Sequence, residues 1–185
     1  MTSHGELTAK VAEYLRQELD ARGLDVFHDH GESAEHVGRI LSWFGEASAP
    51  SLETALSSLD VAVVDRKPGK APAYALVEIE ETNDRPKNLL GDVFGTLLGS
   101  KITFKKKDLE VGEWTTLIVI GNGPESHRPR NEFLAHEARA AQPTLAAGNN
   151  TIGEVVIQSF TRESELAPML RQLVEHAVQR GQAIK

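Results

Sequence analysis

The chain contains no cysteine. That excludes a disulfide scaffold, a thiolate-held zinc or iron–sulfur site and a thiol nucleophile. No apolar run approaches the ~20 residues of a membrane span. The opening residues, Met1-Thr-Ser-His-Gly-Glu6, are polar and lack the basic-then-apolar order of a secretory signal, so a cytoplasmic protein with no membrane partner is expected. A glycine-rich phosphate loop of the P-loop or dinucleotide type is missing, and Gly121-Asn-Gly123 reads as a turn. There is no Gly-x-Ser-x-Gly elbow. Positive charge is also short: 20 Lys and Arg stand against 27 Asp and Glu, a formal net charge of −7. A generic basic coat for nucleic acid is thereby excluded, while a local basic patch stays open.

What remains is an ordinary soluble composition, 40% hydrophobic and 25% charged over 185 residues. A chain of this length buries roughly 70% of its unfolded surface and sustains its own core. Leu7, Val11, Leu15 and Leu19 recur every four residues and predict a helix over Glu6–Arg22, closed by Gly23. Leu24–His30 reads as a strand. Val37, Ile40, Leu41 and Phe44 have helical spacing, Pro50 breaks it, and Leu52–Leu56 predicts a further short helix. Leu59–Asp65 and Ala73–Glu80 read as strands joined by the Pro-Gly turn at Arg66–Lys70, a hairpin. Pro86 suits the first turn of a helix reaching Leu98. Thr115–Ile120 predicts a buried strand, Asn131–Ala141 a helix, Gly153–Phe160 a strand and Glu163–Arg180 a closing helix. The order predicts an α/β fold: a single domain, residues 1–185, with a mixed central sheet flanked by helices.

The informative stretch is Asp60 with Glu78-Ile-Glu80. Side chains alternate along a strand, so Glu78 and Glu80 share a face about 7 Å apart at the backbone. Asp60 begins the neighbouring strand, and hairpin register decides whether it joins them. Three converging carboxylates must share a proton or bind a cation. Oxygen ligands without cysteine suit Mg²⁺ or Mn²⁺.

These residues and their order resemble the PD-(D/E)XK nuclease superfamily, whose restriction-endonuclease-like core runs αβββαβ. In that superfamily an Asp starts the second core strand, a (D/E)-x-K motif lies on the third, and a helix follows. Here the matching segments are Leu59-Asp60-Val-Ala-Val-Val, Leu76-Val-Glu78-Ile-Glu80 and the helix from Pro86. The likeness covers residues 5–121, with a C-terminal extension over residues 122–185 carrying the last strand and helix. Leu59 stands where proline is common, and Glu80 stands at the lysine position, as it does in some restriction endonucleases. The resemblance implies a metal-dependent DNA endonuclease in which Asp60, Glu78 and Glu80 hold Mg²⁺ (or Mn²⁺) and a water so activated attacks a phosphodiester. It also implies a metal-site carboxylate on the first helix, where Glu6, Glu13 and Glu18 are available and Glu13 has about the expected offset from Gly23. Lys67, Lys70, Lys87 or Lys101 can replace the motif lysine. A catalytically inactive member of the same fold, binding nucleic acid or protein, is the alternative. Cutting a duplex would call for a homodimer.

Around the motif, Arg85 and Lys87 follow the acidic strand at a helix start suited to phosphate. Lys101, Lys105, Lys106 and Lys107 form the dense basic run, suited either to a nucleic-acid backbone or to guarding a sheet edge. Gly91, Gly95 and Gly99 recur on one helix at a cost of roughly 1 kcal/mol each relative to Ala, which calls for close packing. Asp92 and Asn88 lie beside that ridge, Asp92 as a candidate extra ligand. Finally, His28-Asp-His30 places two imidazoles on one strand face, acceptable for zinc with His36 and Glu32 or Glu35. That arrangement is a competing metallohydrolase reading.

Overall fold

In a computed structural model, the structure describes residues 5–31, 35–43, 51, 53–66, 71–81, 83–105, 107–145 and 151–185. Helix α1 (Glu6–Leu19) buries Leu7, Val11, Leu15 and Leu19 along one stripe. A 3₁₀ turn over Asp20–Arg22 tightens its end, and Gly23 turns the chain with φ 71°, a conformation that favours glycine. The chain continues through β1 (Leu24–His28), β2 (Ile40–Trp43), β3 (Ala55–Leu59), β4 (Val61–Asp65) and β5 (Ala71–Glu80). Next come α2 (Pro86–Leu97), β6 (Lys101–Phe104), β7 (Lys107–Glu110) and β8 (Thr116–Asn122). The last elements are α3 (Arg128–Leu145), β9 (Glu154–Phe160) and α4 (Glu163–Ile184). Among the described residues, no helix is long and apolar enough to cross a membrane.

The domain is built on a mixed sheet in the order β1-β4-β5-β8-β9. β4 runs antiparallel to both its neighbours, and β5, β8 and β9 run parallel. Alternation sorts the side chains cleanly. Val61, Val63, Ile79, Ile118 and Ile120 join α1 and α4 on one face. Ala62, Val64, Leu76, Leu117 and Val119 join α2 and α3 on the other. The second of these faces is therefore also the face of Asp60, Glu78 and Glu80.

Two expected helices are strands. Residues 40–43 form β2, and the segment expected to be helical at 52–56 contributes Ala55 and Leu56 to β3. The physical reason is burial on both sides. β2 lies inside a second antiparallel sheet, ordered β3-β2-β6-β7, and all four of its residues are buried. A strand covered on both faces loses the period-two signal, and a short apolar run then mimics helical spacing. Phe44, Pro50 and Leu52 lie outside the described residues, as do Lys67–Lys70 of the hairpin turn. The second sheet is tied to the start of β5 by a short parallel pairing through Ala71 and Pro72. Its Ile40, Leu59, Ile102 and Phe104 share a core with Leu89, Val93 and Leu97 of α2.

This packing accounts for two of the three spaced glycines. A Cβ on Gly95 would stand 2.8 Å from the Leu56 carbonyl oxygen, and one on Gly99 would stand 2.0 Å from Ser42 Oγ. Ser42 Oγ donates to the Gly95 carbonyl at 3.0 Å, fastening β2 to the helix. Gly91 differs, with no atom within 4 Å of the same position. Gly95→Ala is therefore expected to lower the unfolding free energy by about 1–3 kcal/mol. Gly91→Ala is expected to raise it by roughly 0.5–1 kcal/mol. Urea denaturation of the two variants beside the parent chain measures both.

Candidate metal centre

β3 and β4 are separated by a single residue, Asp60, at which the chain passes from the second sheet into the main one. Three backbone-directed bonds hold it there. Its N–H donates to the Val77 carbonyl at 3.0 Å, and its carbonyl accepts from the Asp29 N–H at 3.1 Å. Its Oδ2 accepts from the Ile79 N–H at 2.6 Å. Val61 opposes Val77 in the β4–β5 register, so one step further along the ladder brings Asp60 opposite Glu78. The structure thus brings Asp60 and Glu78 together, with Glu80 two residues on along the same face.

Where the two sheets diverge they leave a cavity of about 440 Å³. Leu56, Ser57 and Ser58 line it from β3, and Glu78, Ile79 and Glu80 from β5. Asp60 stands at the corner, Asp29 reaches in just beyond β1, and Gly91 and Asp92 close it from α2. The open space over Gly91 is this cavity.

The site is acidic and mostly withdrawn from water. Asp60 is 4% exposed and Glu78 8%. Burial drives the Glu78 carboxyl well above its ordinary pKa, and the nearby charges of Asp60, Asp92 and Asp29 add to this. Against them, Ser57 Oγ donates to Glu78 Oε1 at 2.8 Å. Asn88 Nδ2 donates to Glu80 Oε2 at 3.2 Å. Asp92 is pushed up to about 6 by burial and by the Glu80 charge. Among the described residues, no lysine or arginine lines the cavity. Like charges gathered in one buried space raise one another's proton affinity, and such a group could hold a cation.

Asp29, His30 and Asp60 each offer a ligand atom, all within 4.8 Å of one another. Glu78 and Glu80 stand outside that tight group but line the same space. His28 does not pair with His30 as zinc-ligand spacing would require. It is buried as the last residue of β1, and its Nδ1 meets the His30 carbonyl. Burial lowers its pKa. Glu32 lies outside the described residues.

The remaining expected residues lie elsewhere. Glu13 is not among the residues lining the cavity. Its carboxylate accepts from Arg16 and from Gln17 Nε2 on its own helix, which lowers its pKa. Arg85 caps α2, and Lys87 follows one turn before Gly91; both are exposed. Lys101 lies 5.6 Å above the Trp43 ring and 3.9 Å from Asp108. Lys105 Nζ donates to the Glu35 carbonyl at 3.2 Å, and Lys107 is exposed on β7. Lys106 lies outside the described residues. β6 and β7 stand two and three strands from cavity-lining β3, about 10 and 14 Å away.

The sequence carries no signal for Ser57, which follows the helix expected at Leu52–Leu56, nor for the role of Asp84. Asp84 follows the acidic strand but turns away from the cavity. It is buried at the ends of β8 and β9, accepting from His127 Nδ1 at 2.9 Å, Arg130 at 2.8 Å and Ser159 Oγ at 2.6 Å. Gly121 and Gly123 leave the room it fills. The basic His127–Arg130 stretch is thereby committed in part to internal structure. Burial alone would raise the Asp84 pKa, but the bonds from Ser159 and His127 and the Arg130 charge outweigh it and hold it below the ordinary value.

No family model, curated protein or solved structure matches this chain.

The Asp84 cluster sets an acid limit on stability. A carboxylate whose folded pKa lies below its unfolded value near 4 stabilises fully above that value and loses the effect as pH falls through the folded pKa. The melting-temperature difference between the parent chain and Asp84→Asn should be constant from pH 6 to 8 and should shrink below about pH 4. Thermal melts across that range measure it.

Proposed function

We propose that the chain is a metal-dependent phosphodiesterase of the PD-(D/E)XK type, acting on DNA. The observation that carries this reading is the opposition of Asp60 and Glu78 across the β4–β5 hairpin, in one cavity with Glu80. Supporting it is the order of elements. With β2–β3 and β6–β7 set aside as the second sheet, the chain runs α1-β1-β4-β5-α2-β8, the αβββαβ order of that superfamily's core.

The donor set fits a hard or borderline dication. It consists of the carboxylates of Glu78 and Glu80 on β5, of Asp60 at the corner between β3 and β4 and of Asp29 just beyond β1, with the His30 imidazole beside Asp29. A dication held there supplies positive charge to a phosphate and lowers the pKa of a water. Asp60 and Glu78 would hold it. Ser57 fixes the Glu78 carboxylate by donating to Oε1, and Asn88 does the same for Glu80 at Oε2. Glu80, half-buried and at the lysine position of the motif, is placed to accept a proton from an attacking water. Arg85 and Lys87 lie at the start of the helix that closes the cavity, where exposed cations can hold a phosphate backbone.

One observation favours a second reading, an inactive member of the fold that binds nucleic acid or protein. With Glu80 in place of lysine, no cation lines the cavity among the described residues. The two readings part on a single variant. Asp60→Asn keeps an acceptor for the Ile79 N–H and so preserves the corner, but removes the charge. On the enzymatic reading, nicking of supercoiled plasmid DNA in Mg²⁺ or Mn²⁺ falls at least about 100-fold in this variant, with the melting temperature maintained. Undiminished nicking would reject the site. Absence of cleavage by the parent chain would leave the binding module.

A further inference from the structure

We propose that Asp29 and His30 complete, with Asp60, a mixed imidazole–carboxylate site selecting a transition-metal dication such as Mn²⁺ over Mg²⁺. This rests on the metal-dependent reading above and names the ion and its remaining ligands. Two ligands on opposite sides of one ion, with bonds of about 2.1 Å, stand about 4.2 Å apart. The donors of Asp29, His30 and Asp60 lie within 4.8 Å of one another, close enough for side-chain movement to bring all three onto one ion.

The arrangement is held by the backbone. His28 opposes Val61 in the β1–β4 register, and the Asp29 N–H donates to the Asp60 carbonyl at 3.1 Å just beyond that ladder. The two acidic residues are thus adjacent because two strands end together. The His30 ring is fixed from outside. A Cβ on Gly5 would stand 2.6 Å from it, and Gly5 itself has φ 95°, so a glycine at the start of α1 permits the ring to lie there. His30 Nδ1 approaches Asp29 Oδ1 at 2.6 Å. That contact is a hydrogen bond, which holds the imidazole beside the Asp29 carboxylate. An independent observation points to the same occupant. Glu78, more than nine-tenths buried, faces this cavity with a neutral hydroxyl as its hydrogen-bond donor, and a cation beside Asp60 would supply the missing charge.

Nitrogen decides the selectivity. Mg²⁺ is satisfied by oxygen ligands and water, whereas imidazole favours first-row transition ions. The test uses the full chain, titrated calorimetrically with Mn²⁺ and separately with Mg²⁺, and pulsed electron paramagnetic resonance of the bound Mn²⁺. Binding of Mn²⁺ about tenfold or more tighter than Mg²⁺, with nitrogen coupling to the manganese, is the expected result. His30→Gln should abolish the coupling and weaken Mn²⁺ about tenfold or more, leaving Mg²⁺ affinity close to that of the parent. Should that variant fail to fold, Asp29→Asn serves in its place: weakened Mn²⁺ supports the site, and unchanged affinity overturns it. Mn²⁺ bound without nitrogen coupling overturns the inference while the carboxylate reading survives. No binding of either ion at millimolar concentration overturns both. Nitrogen-coupled Mn²⁺ in a chain that never cleaves DNA supports this inference and removes the hydrolytic reading alone.

Discussion

Asp60 and Glu78 face each other across a hairpin, both buried, and that opposition constrains everything nearby. Two carboxylates buried at this distance repel, and burial disfavours the charged form of each. The chain tolerates the arrangement because Asp60 is clamped through three backbone-directed bonds, while Glu78 receives the Ser57 hydroxyl. A fold optimised for stability alone would place valines here, as it does at Val61 and Val77 one step away. The conflict with simple core packing falls where a functional site is expected.

The second sheet turns that acidic hairpin into a cavity. The chain returns to the main sheet only at Asp60, so β3 is a wall rather than a neighbour in the plane. α2 is pressed against this wall by the close approach at Gly95, and just past its end Gly99 lies against Ser42 of β2. The same helix at Gly91 stands clear and faces the open space. A repeat of three glycines thus serves two ends: two permit helix–sheet contact, and the third leaves room for an occupant.

Asp84 shows how context separates acidic residues of one type. It lies four residues past Glu80, is as withdrawn from solvent as Asp60, and is surrounded by an arginine, a histidine and a serine hydroxyl. Paired in this way, its charge is stabilised and it serves as a brace between the ends of β8, β9 and α3. In the cavity no arginine or lysine answers the carboxylates among the described residues. Burial raises the pKa of Glu78, and hydrogen bonds with charge lower that of Asp84, so two buried carboxyls of one domain are driven in opposite directions by their surroundings.

Much of this was written locally. The four-residue spacing of Leu7, Val11, Leu15 and Leu19, the Val-rich runs of β4 and β5, and Pro86 at a helix start each depend on neighbours a few residues apart, so their signals survive in one dimension. Alternation likewise put Glu78 and Glu80 on one face before any coordinates. What only the folded chain decided was pairing: the register that opposes Asp60 to Glu78, the second sheet that buries β2 on both sides and erases its period, and the meeting of Asp29 and His30, just past the end of β1, with Asp60 about thirty residues later. Contacts between distant segments are set by the packing of whole layers, and no local pattern of residue types encodes them.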